Sequence, residues 1–189
     1  PLGDHGAAVL ARRHGLDEGE LVSDCGPVNG LVEALLEGGV DVHAMHDPTR
    51  GGVATVCHEV ATRAGARIVL EQSALPIRPQ VRGIMEILGI DPLYLACEGR
   101  CLAWVAERDA ERALALWREH PRGTAAARVG RVEAMHGEGG VPLVLETEFG
   151  TPRPENLLSY RPSSPGPCSK TTSTGMPASF SRCRSAASC

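Results

Sequence analysis

Glycines cut the first 150 residues into short apolar segments, some with helical spacing and some with strand spacing. That interleaving limits the fold to helices layered on a sheet. Asp4 stands where a helix cap is expected, ahead of Ala7, Val9, Leu10 and Ala11, and Gly15 stops the run. Residues 28–36 repeat the pattern, with Leu31, Leu35 and Leu36 on one face and Gly38-Gly39 at the end. A third helix is expected over 53–64, apolar at 53, 56, 57, 60 and 61, and stopped by Gly65. Residues 66–71 read as a strand, 81–88 as a helix, 101–106 as a strand, and 109–120 as a helix closed by Pro121. Short strands are expected over 127–132 and 143–148. The fold class expected is α/β (α+β), a mixed sheet covered by helices.

The chain changes character at Gly150. Residues 1–150 hold 14 Arg, no Lys and 22 acidic residues, whereas residues 151–189 hold five cations and one Glu. Serine occurs twice before Gly150 and nine times after it. We therefore expect one domain over 1–150 and a Ser/Pro/Arg-rich disordered tail over 151–189. Translation out of frame from just after Gly150 accounts for such a change; an evolved extension is the alternative. At the other end the chain opens on Pro1 without an initiator Met and enters a helical pattern almost at once, as a fragment lacking its natural N-terminus does.

A net charge of −4 leaves no electrostatic footprint for nucleic acid or an anionic membrane. No apolar run approaches the ~20 residues of a membrane span, and no signal peptide opens the chain. A cytoplasmic location is expected. The seven cysteines, at 25, 57, 97, 101, 168, 183 and 189, match no zinc module. The first four lie in or beside apolar segments and read as reduced structural thiols.

The loop His46-Asp47-Pro48-Thr49-Arg50-Gly51-Gly52 sits immediately before the third helix. Paired glycines allow close backbone approach, and a helix start favours an anion. Thr49 offers a hydroxyl, Arg50 a forked cation for phosphate, and Asp47 a carboxylate for a metal or a hydrogen bond. The loop lacks the Gly-Lys-Thr/Ser ending of a Walker loop. On local chemistry alone the commoner alternative stays open: a helix N-cap supplied by Thr49 or Asp47. Glu98, in Ala96-Cys97-Glu98-Gly99-Arg100, is an acid between apolar segments, where partial burial suits proton transfer. Its plainer alternative is a solvated carboxylate paired with Arg100. His5, beside Asp4, reads more readily as part of a helix start than as a chemical group, and the other histidines show no metal-ligand spacing.

GDHGAAVLARRHGL (3–16), LVSDCGPVNGLVEALLE (21–37), HAMHDPTRGGVATVCHEVA (43–61), LPIRPQVRGIMEILGIDPLYLACEG (75–99) and HPRGTAAARVGRV (120–132) resemble, in this order, successive blocks of the HypE family. The resemblance covers about residues 3–150. It implies the C-terminal α/β domain of an AIR synthase-related (PurM-like) protein, whose N-terminal nucleotide-binding domain is not in this sequence. The family activity is ATP-dependent dehydration of a carbamoylated C-terminal cysteine to a thiocyanate, the source of the cyanide ligand of [NiFe]-hydrogenase. The resemblance implies ATP and Mg2+ as cofactors, a HypF-like carbamoyltransferase and a HypC–HypD complex as partners, and a homodimer for the full-length protein. It further implies Glu98 as base, Thr49, Arg50, Gly51 and Gly52 around phosphate, and Asp47 as a hydrogen-bonding or Mg2+-linked acid.

This sequence departs from the family where His46 and Cys97 replace the more usual Arg and Asn. It also lacks the family's Pro-Arg-Ile-Cys ending: Cys189 keeps the terminal position of the nucleophile and Cys168 its approximate distance. Other readings are a different AIR synthase relative, such as a selenophosphate synthetase-like enzyme, and a non-catalytic remnant that docks with maturation proteins. The DPTRGG and LGIDPLYLA blocks favour HypE.

Overall fold

The computed structural model describes residues 1–16, 21–135 and 140–155. The helices are α1 (Asp4–His14), α2 (Asn29–Glu37), α3 (Gly52–Ala64), α4 (Pro79–Leu88) and α5 (Ala110–Glu119). The strands are β1 (Val42–His46), β2 (Ala66–Glu71), β3 (Leu102–Val105), β4 (Gly130–Ala134), β5 (Leu143–Glu146) and β6 (Pro152–Pro154). The expected helices and the strand over 66–71 are all present, and the sheet is mixed. Its order is β4-β2-β5-β6, with β2 antiparallel to β4 and parallel to β5, and β5 antiparallel to β6. A separate antiparallel pair joins β1 to β3, with His46 opposite Leu102.

Three apolar clusters hold these elements together. Val53, Ala54, Val56, Cys57 and Ala61 of α3 share one cluster with Ile68 and Leu70 of β2 and Leu143 and Leu145 of β5. Because side chains alternate along a strand, Arg67, Val69 and Glu71 face the other side of the sheet. There Arg131 makes a two-pronged bond to Glu146, at 2.7 and 3.0 Å, and a third bond to Glu133 at 2.8 Å. A second cluster sets Ala7, Ala8 and Ala11 of α1 with Val81 and Met85 of α4 and Leu95. A third gathers Leu35, Val40 and Ala113 beside Val42, Met45, Ala103 and Val105 of the two-stranded pair. Trp117 packs there and donates its indole N–H to the Leu31 carbonyl at 2.8 Å, which satisfies the ring's one polar atom.

Two features differ from the sequence expectation. Strand β1, Val-His-Ala-Met-His, carries little apolar alternation and forms because β3 pairs with it. The domain also continues past residue 150. β6 pairs with β5, the Glu155 N–H donates to the Leu143 carbonyl at 3.0 Å, and the Tyr94 hydroxyl donates to Glu155 at 3.1 Å. The disordered tail expected from residue 151 is therefore corrected over 151–155. The rest of that tail, with Cys168, Cys183 and Cys189, lies outside the described residues.

Candidate active site

β1 ends at His46 and α3 begins at Gly52, so the loop between them is held at both ends by packed elements. Gly51 (φ 77) and Gly52 (φ 61) both take left-handed backbone, which any side chain would strain. Gly52 has a second constraint. A Cβ there would come within 2.6 Å of the Leu95 carbonyl oxygen and closer still to that of Leu93. The loop is thus pressed onto the segment 93–97, and the Cys97 N–H donates to the Pro48 carbonyl at 2.9 Å. Pro48 is fully buried beneath it.

No side chain caps α3. The alternative in which Thr49 or Asp47 caps the helix is therefore corrected: Gly51 occupies the cap, and the Gly52 N–H returns to the Thr49 carbonyl at 3.1 Å. Thr49 is half-buried, while Asp47 and Arg50 are exposed. His46 Nδ1 lies 2.7 Å from the Asp47 carbonyl oxygen and 3.3 Å from its carboxylate. A left-handed glycine pair at a helix start without a side-chain cap, with an exposed guanidinium beside it, suits an anion.

The facing segment runs from the 3-10 turn Pro92–Tyr94, capped by Asp91 accepting from the Leu93 N–H at 2.9 Å. Leu93, Leu95 and Cys97 are buried, and Glu98 is exposed. The partial burial expected of Glu98 is therefore not found: Leu93, Leu95 and Cys97 turn inward at alternate positions, and Glu98 is left exposed. Its peptide group is held firmly. The Glu98 N–H donates to Asp24 Oδ1 at 2.9 Å, and the Gly26 N–H lies 3.4 Å from the Glu98 carbonyl oxygen.

The pairing of Glu98 with Arg100 is also corrected. Arg100 donates through Nε to the Pro1 carbonyl at 2.8 Å and turns to Asp24 at 3.6 Å and Asp4 at 3.8 Å. Those two acids are buried, with Asp4 1% and Asp24 6% exposed; the third buried acid among the described residues, Glu155, pairs instead with Arg153 and Tyr94. Asp4 does not cap α1, because Gly3 (φ 79) takes that place and Asp4 turns inward. Burial pushes the Asp4 carboxyl above its ordinary pKa, with Arg78, 3.5 Å away, opposing the shift. Asp4 Oδ1, Asp24 Oδ2 and Arg122 Nε are buried without a hydrogen-bond partner among the described residues. Arg122 nevertheless anchors the same segment by donating to the Asp24 carbonyl at 2.8 Å.

Sequence reasoning missed Asp24 and Arg100 as a pair because burial of an acid is set by distant segments. The one available signal was a lone charge in the stretch Val-Ser-Asp-Cys-Gly-Pro-Val-Asn. His5 Nδ1 lies 2.9 Å from Ser23 Oγ, so it ties α1 to this same stretch. The thiols divide. Burial raises Cys57 and Cys97 to about 12, whereas Cys25 is exposed.

The domain has recognisable relatives. The family model of the AIR synthase related protein, C-terminal domain, matches residues 1–141. Carbamoyl dehydratase HypE of Rhodobacter capsulatus is 44% identical over 158 residues, which are 83% of this chain and 46% of that protein. The chain thus spans about half the length of the relatives it matches. A crystal structure of hydrogenase maturation protein HypE in complex with ATP aligns with a TM-score of 0.75 at 42% identity, covering 80% of this chain and 47% of that one. A crystal structure of a HypE–HypF complex aligns with a TM-score of 0.75 at 35% identity, covering 82% and 50%. The chain belongs to the AIR synthase related family, whose C-terminal domain it carries in a form similar to that of the HypE maturation proteins.

Proposed function

We propose that this domain forms one wall of a site where a carbamoylated cysteine is dehydrated to a thiocyanate with ATP. The reaction is the one its carbamoyl dehydratase relatives are named for. An amide oxygen is a poor leaving group and must first be activated. The carbamoyl oxygen attacks the γ-phosphorus of ATP, an O–P bond forms, and ADP departs as the β,γ-bridge breaks. A base then takes an N–H proton while the C–O bond breaks and phosphate leaves with its electron pair. Loss of the second N–H proton completes the C≡N bond, so the elements of water have left the carbamoyl group.

The observation that carries this reading is the 2.9 Å bond from the Cys97 N–H to the Pro48 carbonyl. It sets the loop bearing Asp47, Thr49, Arg50, Gly51 and Gly52 directly beside the residue that precedes Glu98. Arg50, Thr49 and the Gly51-Gly52 turn hold phosphate, and Glu98 is the base. No group of three His, Cys, Asp or Glu side chains among the described residues converges to hold a metal. Mg2+ needs only one or two carboxylates when phosphates complete its shell, and exposed Asp47 fits that lesser part. Bound there, Mg2+ would neutralise phosphate charge.

The remaining nucleotide contacts belong to an N-terminal nucleotide-binding domain, and the full-length protein is a homodimer. A HypF-like carbamoyltransferase loads the cysteine, Cys189 or in its place Cys168, and a HypC–HypD complex takes the product, all in the cytoplasm. The test joins this chain to the N-terminal half of the Rhodobacter capsulatus protein and supplies a carbamoylated tail cysteine. Intact mass should fall by one water only when ATP is present. Neither event would leave a docking role, and ATP consumption without that loss would contradict the dehydration.

A further inference from the structure

We infer that Asp24 is a positioning residue for Glu98, fixing the direction in which that carboxylate reaches. The inference rests on the proposed role of Glu98 as base. Glu98 is exposed, so no packing of its own side chain aims it. Its aim comes from its backbone, which the segment 24–26 grips on both sides. Asp24 Oδ1 accepts from the Glu98 N–H at 2.9 Å, and the Gly26 N–H lies 3.4 Å from the Glu98 carbonyl oxygen. Contact continues at the next residue, for a Cβ on Gly99 would collide with the Asp24 carbonyl oxygen.

Asp24 is itself held, which a positioning group needs. Arg122 binds its carbonyl at 2.8 Å, and Arg100 stands 3.6 Å from its second carboxylate oxygen without a hydrogen bond. The Glu98 N–H is thus the hydrogen-bond partner of this buried side chain among the described residues. Burying a carboxylate is costly when a neutral acceptor would fill the same turn. The charge-assisted bond it makes to one peptide N–H is stiffer than a neutral one. That peptide plane sets the Cα–Cβ direction of Glu98 and so the place its carboxylate occupies.

The test uses this chain joined to the N-terminal half of the Rhodobacter capsulatus protein and reads single-turnover thiocyanate formation. Asp24→Ala should lower the rate by about ten- to a hundredfold, the scale of a misplaced catalytic group, with the ATP concentration dependence unchanged. Asp24→Asn, which keeps an oxygen for the N–H, should restore most of it. In a Glu98→Gln background Asp24→Ala should cause no further loss, because there is no base left to aim. Should Asp24→Ala fail to fold by circular dichroism, Asp24→Ser replaces it, since its hydroxyl falls short of the N–H. A wild-type rate in Asp24→Ala, or an equal further loss on top of Glu98→Gln, would overturn the positioning role while leaving Glu98 as base. A wild-type rate in Glu98→Gln alone would instead remove the reading on which the inference stands.

Discussion

Beneath α3 the chain buries Val53, Val56, Ile68, Leu70 and the Cys57 thiol, groups that ask nothing of their neighbours except to fill space. Around segment 98–100 the same chain buries Asp4 and Asp24, half-buries Arg100, and leaves two buried carboxylate oxygens without hydrogen bonds among the described residues. The first region is stabilised by loss of water from apolar surface. The second carries charge at a cost that only mutual pairing offsets. The apolar region could exchange one aliphatic residue for another and keep its shape. The charged region depends on each partner being where it is, and it lies directly against the backbone of Glu98. The difference teaches that fold strength is concentrated under α3, while the precision of the candidate site comes from a knot that does not maximise stability.

The largest expected effect comes from removing the shared cation. Arg100→Ala leaves Asp4 and Asp24 without it and should destabilise the domain by about 4 kcal/mol in urea denaturation at neutral pH. A loss below about 1 kcal/mol would show that the two acids do not depend on it. Leu70→Ala in the apolar region should cost about 3 kcal/mol through transfer and cavity terms. That cost should stay flat with pH, and a pH-dependent loss would erase the distinction between the regions.

Thiol labelling sharpens the contrast more gently. At pH 8 a maleimide should modify Cys25 in the folded protein, while Cys57 and Cys97, held near 12 and buried, react only on unfolding. Peptide mapping before and after denaturation reads this directly.

The smallest effect is the pH dependence of Asp4. Its folded pKa lies above the unfolded value, so the folded state holds the proton more tightly, and this group's contribution to stability falls as pH rises through the folded pKa. Asp4→Asn mimics the protonated form. Its stability relative to wild type should therefore become more favourable from pH 4 to pH 8 in matched urea titrations. A difference that moves the other way would mean that Arg78 and Arg100 outweigh burial.

Local pattern revealed what local chemistry controls. β2 forms over Ala66–Glu71, as its apolar run and flanking glycine require, and α3 ends at Gly65 as expected. β6 escaped notice because its Pro-Arg-Pro reads as a break. Proline is tolerated in a strand at a sheet edge, and β6 lies at the end of the order β4-β2-β5-β6. The glycine loop and Glu98 were legible as separate motifs, and only the fold shows that a single backbone bond joins their segments. Asp24 showed only as a lone charge in its stretch and Arg122 not at all, because the groups that make them matter lie 74 and 98 positions away.

The loop at 47–52 and the carboxylate at 98 act on one substrate in this account, so the most direct measurement is the thiocyanate-forming rate of Glu98→Gln in the joined protein. The rate should fall by about a hundred- to a thousandfold, the scale of losing a general base, while ATP binding measured by calorimetry stays at wild-type affinity. An unchanged rate would contradict it.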